Sequence, residues 1–317
     1  MFSGFNLELD ANSLAEVCGR DFEKYRTIGE EHLSTEINRF NDEMKRLVNY
    51  QTINGSQLQE YCFPNVEADI FLSHSHKDRN LANALAGWIY DTFNLKVFID
   101  SNVWEYSSKL LEKLNSRYSN KRPNGQNGVL YDHKSCCKAS EHVNTMLSTA
   151  LHQMIDKVEC VMFLNTDNSV KVISDNQFSS TYSPWIYSEI MCTQIVRKKP
   201  LLCYREYNEL MHFNESESIA NDVTDLVISY NLPLKHLRKI NTGNLIQWLY
   251  NYKKYDEQPL DSLYSITHKN DLDITKKLYR LMDRKDINTL KKYFAGEENE
   301  VKKVIDVIKG HKGGNLL

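Results

Sequence analysis

The chain has 317 residues, of which 41% are hydrophobic and 26% charged, with a formal net charge of −3. That is room for one large or two modest domains in an ordinary soluble balance. It excludes a global basic field of the kind that advertises nucleic acid or an anionic membrane, and no apolar run approaches the ~20 residues a membrane helix needs.

The opening residues MFSGFNLELDANSL have neither a basic nor an apolar leader region, so no signal peptide is expected. Seven scattered cysteines, an odd count in a chain with a sizeable core, argue for a reducing cytoplasm rather than a disulfide scaffold. Residues 12–62 carry apolar side chains at helical intervals, among them Leu14, Val17, Phe22, Tyr25 and Ile28, with Asn12 as a candidate cap and a break at Asn54-Gly55-Ser56. The expectation for residues 1–65 is a helical extension that carries no chemistry.

The pattern changes at Ala68-Asp69-Ile70-Phe71-Leu72-Ser73, a short apolar strand leading into a polar loop, Ser73 to Asp78. Asp78 is placed to cap a helix whose buried stripe is Leu81, Leu85, Trp88 and Ile89. Further strands are expected at 95–100, 160–164 and 200–204, and a fifth at 236–240 with a closing helix around Leu245–Leu249. Between them lie a helix over about 141–157 and one opened by Ser183 and Pro184. The long connection 101–139 reads as a helix over 107–118 and an open loop over 121–134. Residues 205–232 read as loop, and the chain is helical again from about 256, with stripes at Ile274, Leu278, Leu281 and Met282 and at Val301, Val304, Ile305 and Ile308, and Gly310 as C-cap. Short apolar strands alternating with amphipathic helices predict a parallel α/β sheet whose ligands bind at the C-terminal strand ends.

No glycine-rich phosphate loop follows any strand, which argues against a dinucleotide cofactor fold or a P-loop. Ser73-His74-Ser75-His76 invites a Ser–His hydrolase reading, but no nucleophile elbow is present, and the loop is better taken as pocket lining. His133, Cys136, Cys137 and His142 fit no usual zinc spacing and are expected in a plain loop. Asp100 either points to the ligand edge or caps the next helix. Trp185 and Glu189, four apart, share a helix face. They form either a pocket for a flat, cationic or sugar-bearing ligand, or a core Trp beside a solvated Glu.

Taken together, DIFLSHSHKD, LKVFID, ECVMFLNT and SPWIYSEI followed by KKPLL resemble the Toll/interleukin-1 receptor (TIR) domain, in particular the bacterial TIR proteins of antiviral defence. The resemblance covers residues 66–204 and extends to about 254. It implies a flavodoxin-like α/β fold with a five-stranded parallel sheet, a long insertion at 101–139, and helical extensions at 1–65 and 255–317. It also implies an activity: cleavage of the nicotinamide–ribose bond of NAD+, giving ADP-ribose or a cyclic ADP-ribose signal in the cytoplasm. On that likeness Glu189 of the W-x-x-x-E helix is the catalytic residue. Trp185, Ser73, His74, Ser75, Phe98, Asp100 and Trp104 would line the substrate pocket. NAD+ is then substrate, with no metal and no resident cofactor. The implied partners are further copies of the chain through the TIR domain and an effector or sensor protein, with no nucleic acid and no membrane. The rival expectation is a non-catalytic TIR adaptor that works by assembly. The 101–139 segment departs from the family, whose corresponding loop is short.

Overall fold

Three stretches are buried along almost their whole length: Ser3–Glu8, Ile70–Ser73 and Cys160–Asn165. Strands shielded on both faces belong to the middle of a parallel sheet covered by helices. The computed structural model describes residues 1–19, 21–34, 53–62, 67–99, 101–119, 121–124, 128–173, 178–205, 229–255, 258–273 and 276. Its main sheet comprises β1 (Ser3–Glu8), β2 (Ile70–Ser73), β3 (Val97–Ile99), β6 (Cys160–Asn165) and β10 (Arg238–Asn241). The order is β10-β1-β6-β2-β3 and every pairing is parallel. Two antiparallel elements accompany it. One is the hairpin β4 (Lys121–Asn124) and β5 (Gly128–Tyr131). The other is a three-stranded sheet of β7 (Lys171–Ile173), β8 (Phe178–Thr181) and β9 (Tyr230–Asn231).

The described helices are α1 (Ala11–Val17), α2 (Phe22–Ser34), α3 (Gly55–Cys62), α4 (Arg79–Phe93), α5 (Ser101–Tyr118), α6 (His133–Lys157), α7 (Pro184–Ile195), α8 (Thr242–Tyr255) and α9 (Pro259–Thr267). This is an α/β fold with a five-stranded parallel sheet, compatible with a flavodoxin-like arrangement. In spatial order β3-β2-β6 matches the first three positions of the flavodoxin-like sequence 2-1-3-4-5. The fourth position is filled from the N-terminus: β1 lies between β6 and β10, with Leu7 opposite both Leu164 and Ile240.

Several expectations need correction. Residues 3–8, assigned to a helical extension, form a strand. Phe5 and Leu7 alternate with Gly4 and Asn6, a pattern too short and mixed to stand out, yet all four are buried. Residues 200–204, expected as a strand, contain a 3₁₀ turn at Leu201–Tyr204. Pro200 lacks an amide donor, and the edge of β6 is already paired with β1. The stretch 121–134, expected as open loop, holds the β4–β5 hairpin and the start of α6, which begins eight residues before the expected 141. Asp132 caps α6 by accepting from the Ser135 amide at 2.9 Å. Asp10, not Asn12, caps α1, accepting from Ser13 N at 2.8 Å. The 205–232 stretch, expected as loop, includes β9 where it is described. The apolar stripes at 274–282 and 301–308, and Gly310, lie outside the described residues.

The described residues divide into two compact units. The first holds all ten strands and helices α1 to α7. In it α2 crosses α4 at backbone distance: a Cβ on Gly29 would stand 2.1 Å from the Asn83 carbonyl oxygen, and one on Gly87 2.0 Å from that of Tyr25. The second unit holds the 201–204 turn, α8 from Gly243 onward, and α9. There Trp248 is fully buried and donates its indole N–H to the Pro259 carbonyl at 2.7 Å. Arg205 is ion-paired with Asp261. Among the described residues no helix is long and apolar enough to cross a membrane.

Candidate functional site

The chain leaves β2 toward β3 on one side of the sheet and leaves β6 toward β10 on the other. The C-terminal ends of β2 and β6 therefore flank the point where strand order reverses, the place where ligands bind in open α/β sheets. Ser73 ends β2 and pairs with Phe163 of β6. The segment after β6 brings α7 back beside this edge.

The start of α7 follows its sequence. Ser183 is extended and its hydroxyl accepts from the Ile186 amide at 3.3 Å, with Pro184 in the first turn. The buried positions of the helix are Ile186, Glu189, Ile190 and Thr193. That is the i, i+3, i+4, i+7 stripe of one face. Ile186 and Ile190 pack in one apolar cluster with Phe163 of β6. Glu189 is thus a carboxylate set within a core stripe, 1% exposed, and not a solvated helix residue. Its Oε2 accepts a 2.6 Å hydrogen bond from the hydroxyl of Ser73. A buried carboxylate demands such donors, because removing its charge from water is costly.

His74 follows directly and is fully buried. Burial pushes its imidazole down to about 4; the negative charges of Glu189 and Asp78 pull the other way but less. At neutral pH it is an uncharged ring beside Glu189. Asp78 was expected as a helix cap. Instead its carboxylate reaches across to the loop after β6, accepting from the Thr166 hydroxyl at 2.5 Å and from the Asn168 amide at 2.6 Å. Ser169 turns the same loop back onto β6 by donating to the Leu164 carbonyl at 2.9 Å. The two loops that frame the crevice are thereby joined. Ser75 is half-buried and its carbonyl accepts from the Asp78 amide at 2.7 Å, closing a 3₁₀ turn over His76–Asp78.

The aromatic candidates divide. Phe98 is a core residue of β3, its ring 5.2 Å from that of Phe71. Trp185 is half-buried and packs against the same apolar cluster. Trp104 is in the first turn of α5, and nothing of its side chain is described; Asp100 lies outside the described residues. The structure therefore brings together Ser73, His74 and Glu189, and places Trp185 and Phe98 on one cluster. The side-chain-bonded turn made by Thr166 and Ser169 escaped the sequence reading. Its signal was the Thr-x-x-Ser spacing directly after a strand, which suits such a turn.

Neither of two cavities lined by described residues includes Glu189. One, of about 660 Å3, lies between α6 and α7 and contains a hydrogen bond of 3.0 Å between His152 Nε2 and Ser188 Oγ. The other, of about 630 Å3, lies among α3, α5 and α6. His133 and Cys137, expected in a loop, stand one turn apart on α6. Among the described residues no three His, Cys, Asp or Glu side chains converge as a metal-ligand set. Comparison with family models, with curated proteins and with solved structures yields no match.

Proposed function

We propose that the chain is a TIR-type enzyme that cleaves NAD+ at the nicotinamide–ribose bond in cytoplasmic antiviral defence. The observation that carries this reading is Glu189: a single carboxylate held by Ser73 at the strand-reversal crevice, beside an uncharged His74. The proposed chemistry suits one carboxylate. The nicotinamide of NAD+ is a cationic leaving group. When its bond to the ribose anomeric carbon breaks, the electron pair goes to the ring nitrogen and nicotinamide departs neutral. No acid is needed to protonate it. The ribose develops oxocarbenium character, as in glycoside hydrolysis, and a fixed carboxylate stabilises that charge. Water attacking the anomeric carbon gives ADP-ribose and releases a proton. Attack by a nucleophilic atom of the same molecule gives a cyclic product.

In this reading Ser73 fixes the carboxylate's position, and an uncharged His74 avoids adding a positive charge where a cation must form. Trp185 supplies apolar surface near the carboxylate. Because Glu189 is 1% exposed, substrate reaches it only after α7 and the Ser73–Asp78 loop separate. Assembly of several copies is the proposed trigger.

The same burial favours one rival: a non-catalytic TIR adaptor in which Glu189 is an interior clamp between α7 and β2. Incubating concentrated protein with NAD+ and a crowding agent, then separating the products by chromatography, decides between them. Free nicotinamide that disappears with Glu189→Gln supports the enzyme. Absence of turnover in assembled protein supports the adaptor.

A further inference from the structure

The cavity among α3, α5 and α6 shares no residue with the Ser73–Glu189 crevice. Its volume of about 630 Å3 falls within the roughly 300–1,000 Å3 of small-molecule sites. The floor is apolar: Leu58 of α3, Leu114 of α5 and Met146 of α6 are buried, and Ile53 is half-buried. The rim is different. Ser135, Lys138, His142 and Thr145 recur every three or four residues along one side of α6 and line the cavity. Tyr118 faces them from α5, 43% exposed.

The rim's polar groups are not equivalent. The Ser135 hydroxyl donates to Asp132 at 2.8 Å, and the Thr145 hydroxyl donates to the Glu141 carbonyl at 2.7 Å. Both donors are committed to the helix itself. Lys138 and His142 are exposed, one turn apart, and project from the cavity wall. Among the described residues no carboxylate lines the cavity. The nearest acids in sequence are Asp132, which caps α6, and Glu141, which is exposed on the adjoining face.

We infer that this cavity binds an amphipathic anion, with an alkyl chain on the Leu58–Leu114–Met146 floor and the anionic head at Lys138 and His142. Charge decides the head group, since among the described lining residues Lys138 is a cation that no acidic side chain offsets. Apolar burial decides the tail: each methylene removed from water strengthens binding by roughly fourfold until the floor is filled.

The test is calorimetric titration of the full chain with decanoate below its micellar range, with decylammonium and octanoate as comparisons. The expected result is saturable one-to-one binding of decanoate, binding of octanoate roughly fifteenfold weaker, and binding of decylammonium at least tenfold weaker. Lys138→Glu should weaken decanoate at least tenfold, and Met146→Trp, which fills the floor, should abolish it. Circular dichroism and melting curves show whether these variants fold; Thr145→Trp at the rim replaces Met146→Trp if that one does not. No saturable decanoate binding up to millimolar concentration overturns the inference. So does equal binding by decylammonium, or undiminished binding in folded Lys138→Glu and cavity-filling variants.

Discussion

The hydroxyl of Ser73, at the end of β2, donates a 2.6 Å hydrogen bond to Oε2 of Glu189 on α7, joining residues 116 apart in the chain. Both side chains are buried, Ser73 fully and Glu189 to 1% exposure. This contact fastens the first turns of α7 to the C-terminal edge of the sheet. Its loss leaves a buried carboxylate short of a donor, at a cost of about 1–3 kcal/mol. Ser73→Ala is therefore expected to lower unfolding free energy by that amount in a denaturant titration. Ser73→Thr, which keeps the hydroxyl, should recover part of it. A Ser73→Ala protein as stable as the parent would show that the bond contributes nothing to the fold.

His74 makes stability depend on pH in a defined direction. Its folded pKa is held down to about 4 by burial, against an ordinary 6.5. Between those values the unfolded chain binds a proton that the folded chain refuses, so acid favours unfolding. The His74 contribution is fully present above pH 6.5, falls as pH drops, and is exhausted near pH 4. The full swing is on the order of 3 kcal/mol. His74→Asn should flatten the stability profile across this window, measured as the difference between parent and variant in unfolding titrations at several pH values. Parallel profiles would contradict a neutral, buried His74.

The crossing of α2 and α4 rests on two glycines. A methyl at Gly87 would stand 2.0 Å from the Tyr25 carbonyl oxygen, which is backbone and cannot swing aside. Gly87→Ala should cost about 1–3 kcal/mol or more through overpacking, and Gly29→Ala likewise. Gly55→Ala, where a Cβ meets nothing within 4 Å, serves as control and should be neutral or slightly stabilising. Thermal melting of the three variants separates a packing effect from a general intolerance of alanine.

The sheet and the start of α7 were legible because local signals agreed with the fold. Ile70–Ser73 and Cys160–Asn165 are continuous apolar runs, as central parallel strands require. Ser183-Pro184 is a helix opening by chemistry alone. The strand Ser3–Glu8 was not legible. Its Ser, Gly and Asn positions hide the period, and only pairing with β6 and β10 explains their burial. Leu201–Tyr204 misled for the opposite reason, being apolar enough for a strand while no strand of the sheet pairs with it.

At the site, spacing alone put Trp185 and Glu189 on one face but did not say which face met the sheet. The stripe Ile186, Glu189, Ile190, Thr193 contained that answer, since a carboxylate between two buried isoleucines must be buried with them. The partner Ser73 could not be found from spacing, because a contact across 116 residues depends on the tertiary fold. Asp78 shows the same limit. Its position before α4 suggests a cap, but Thr166 and Asn168, some ninety residues on, hold its carboxylate instead.

The most direct measurement is the release of nicotinamide from NAD+ by the full chain, followed by chromatography at high protein concentration with a crowding agent, for the parent and for Glu189→Gln. Glu189→Gln keeps the shape of the side chain and a hydrogen-bonding oxygen for Ser73 while removing the charge. The expected result is turnover by the parent and a loss of at least about a hundredfold in a folded Glu189→Gln protein. Equal turnover by the two proteins would contradict the assignment of Glu189, and no turnover by assembled parent protein would contradict the enzyme.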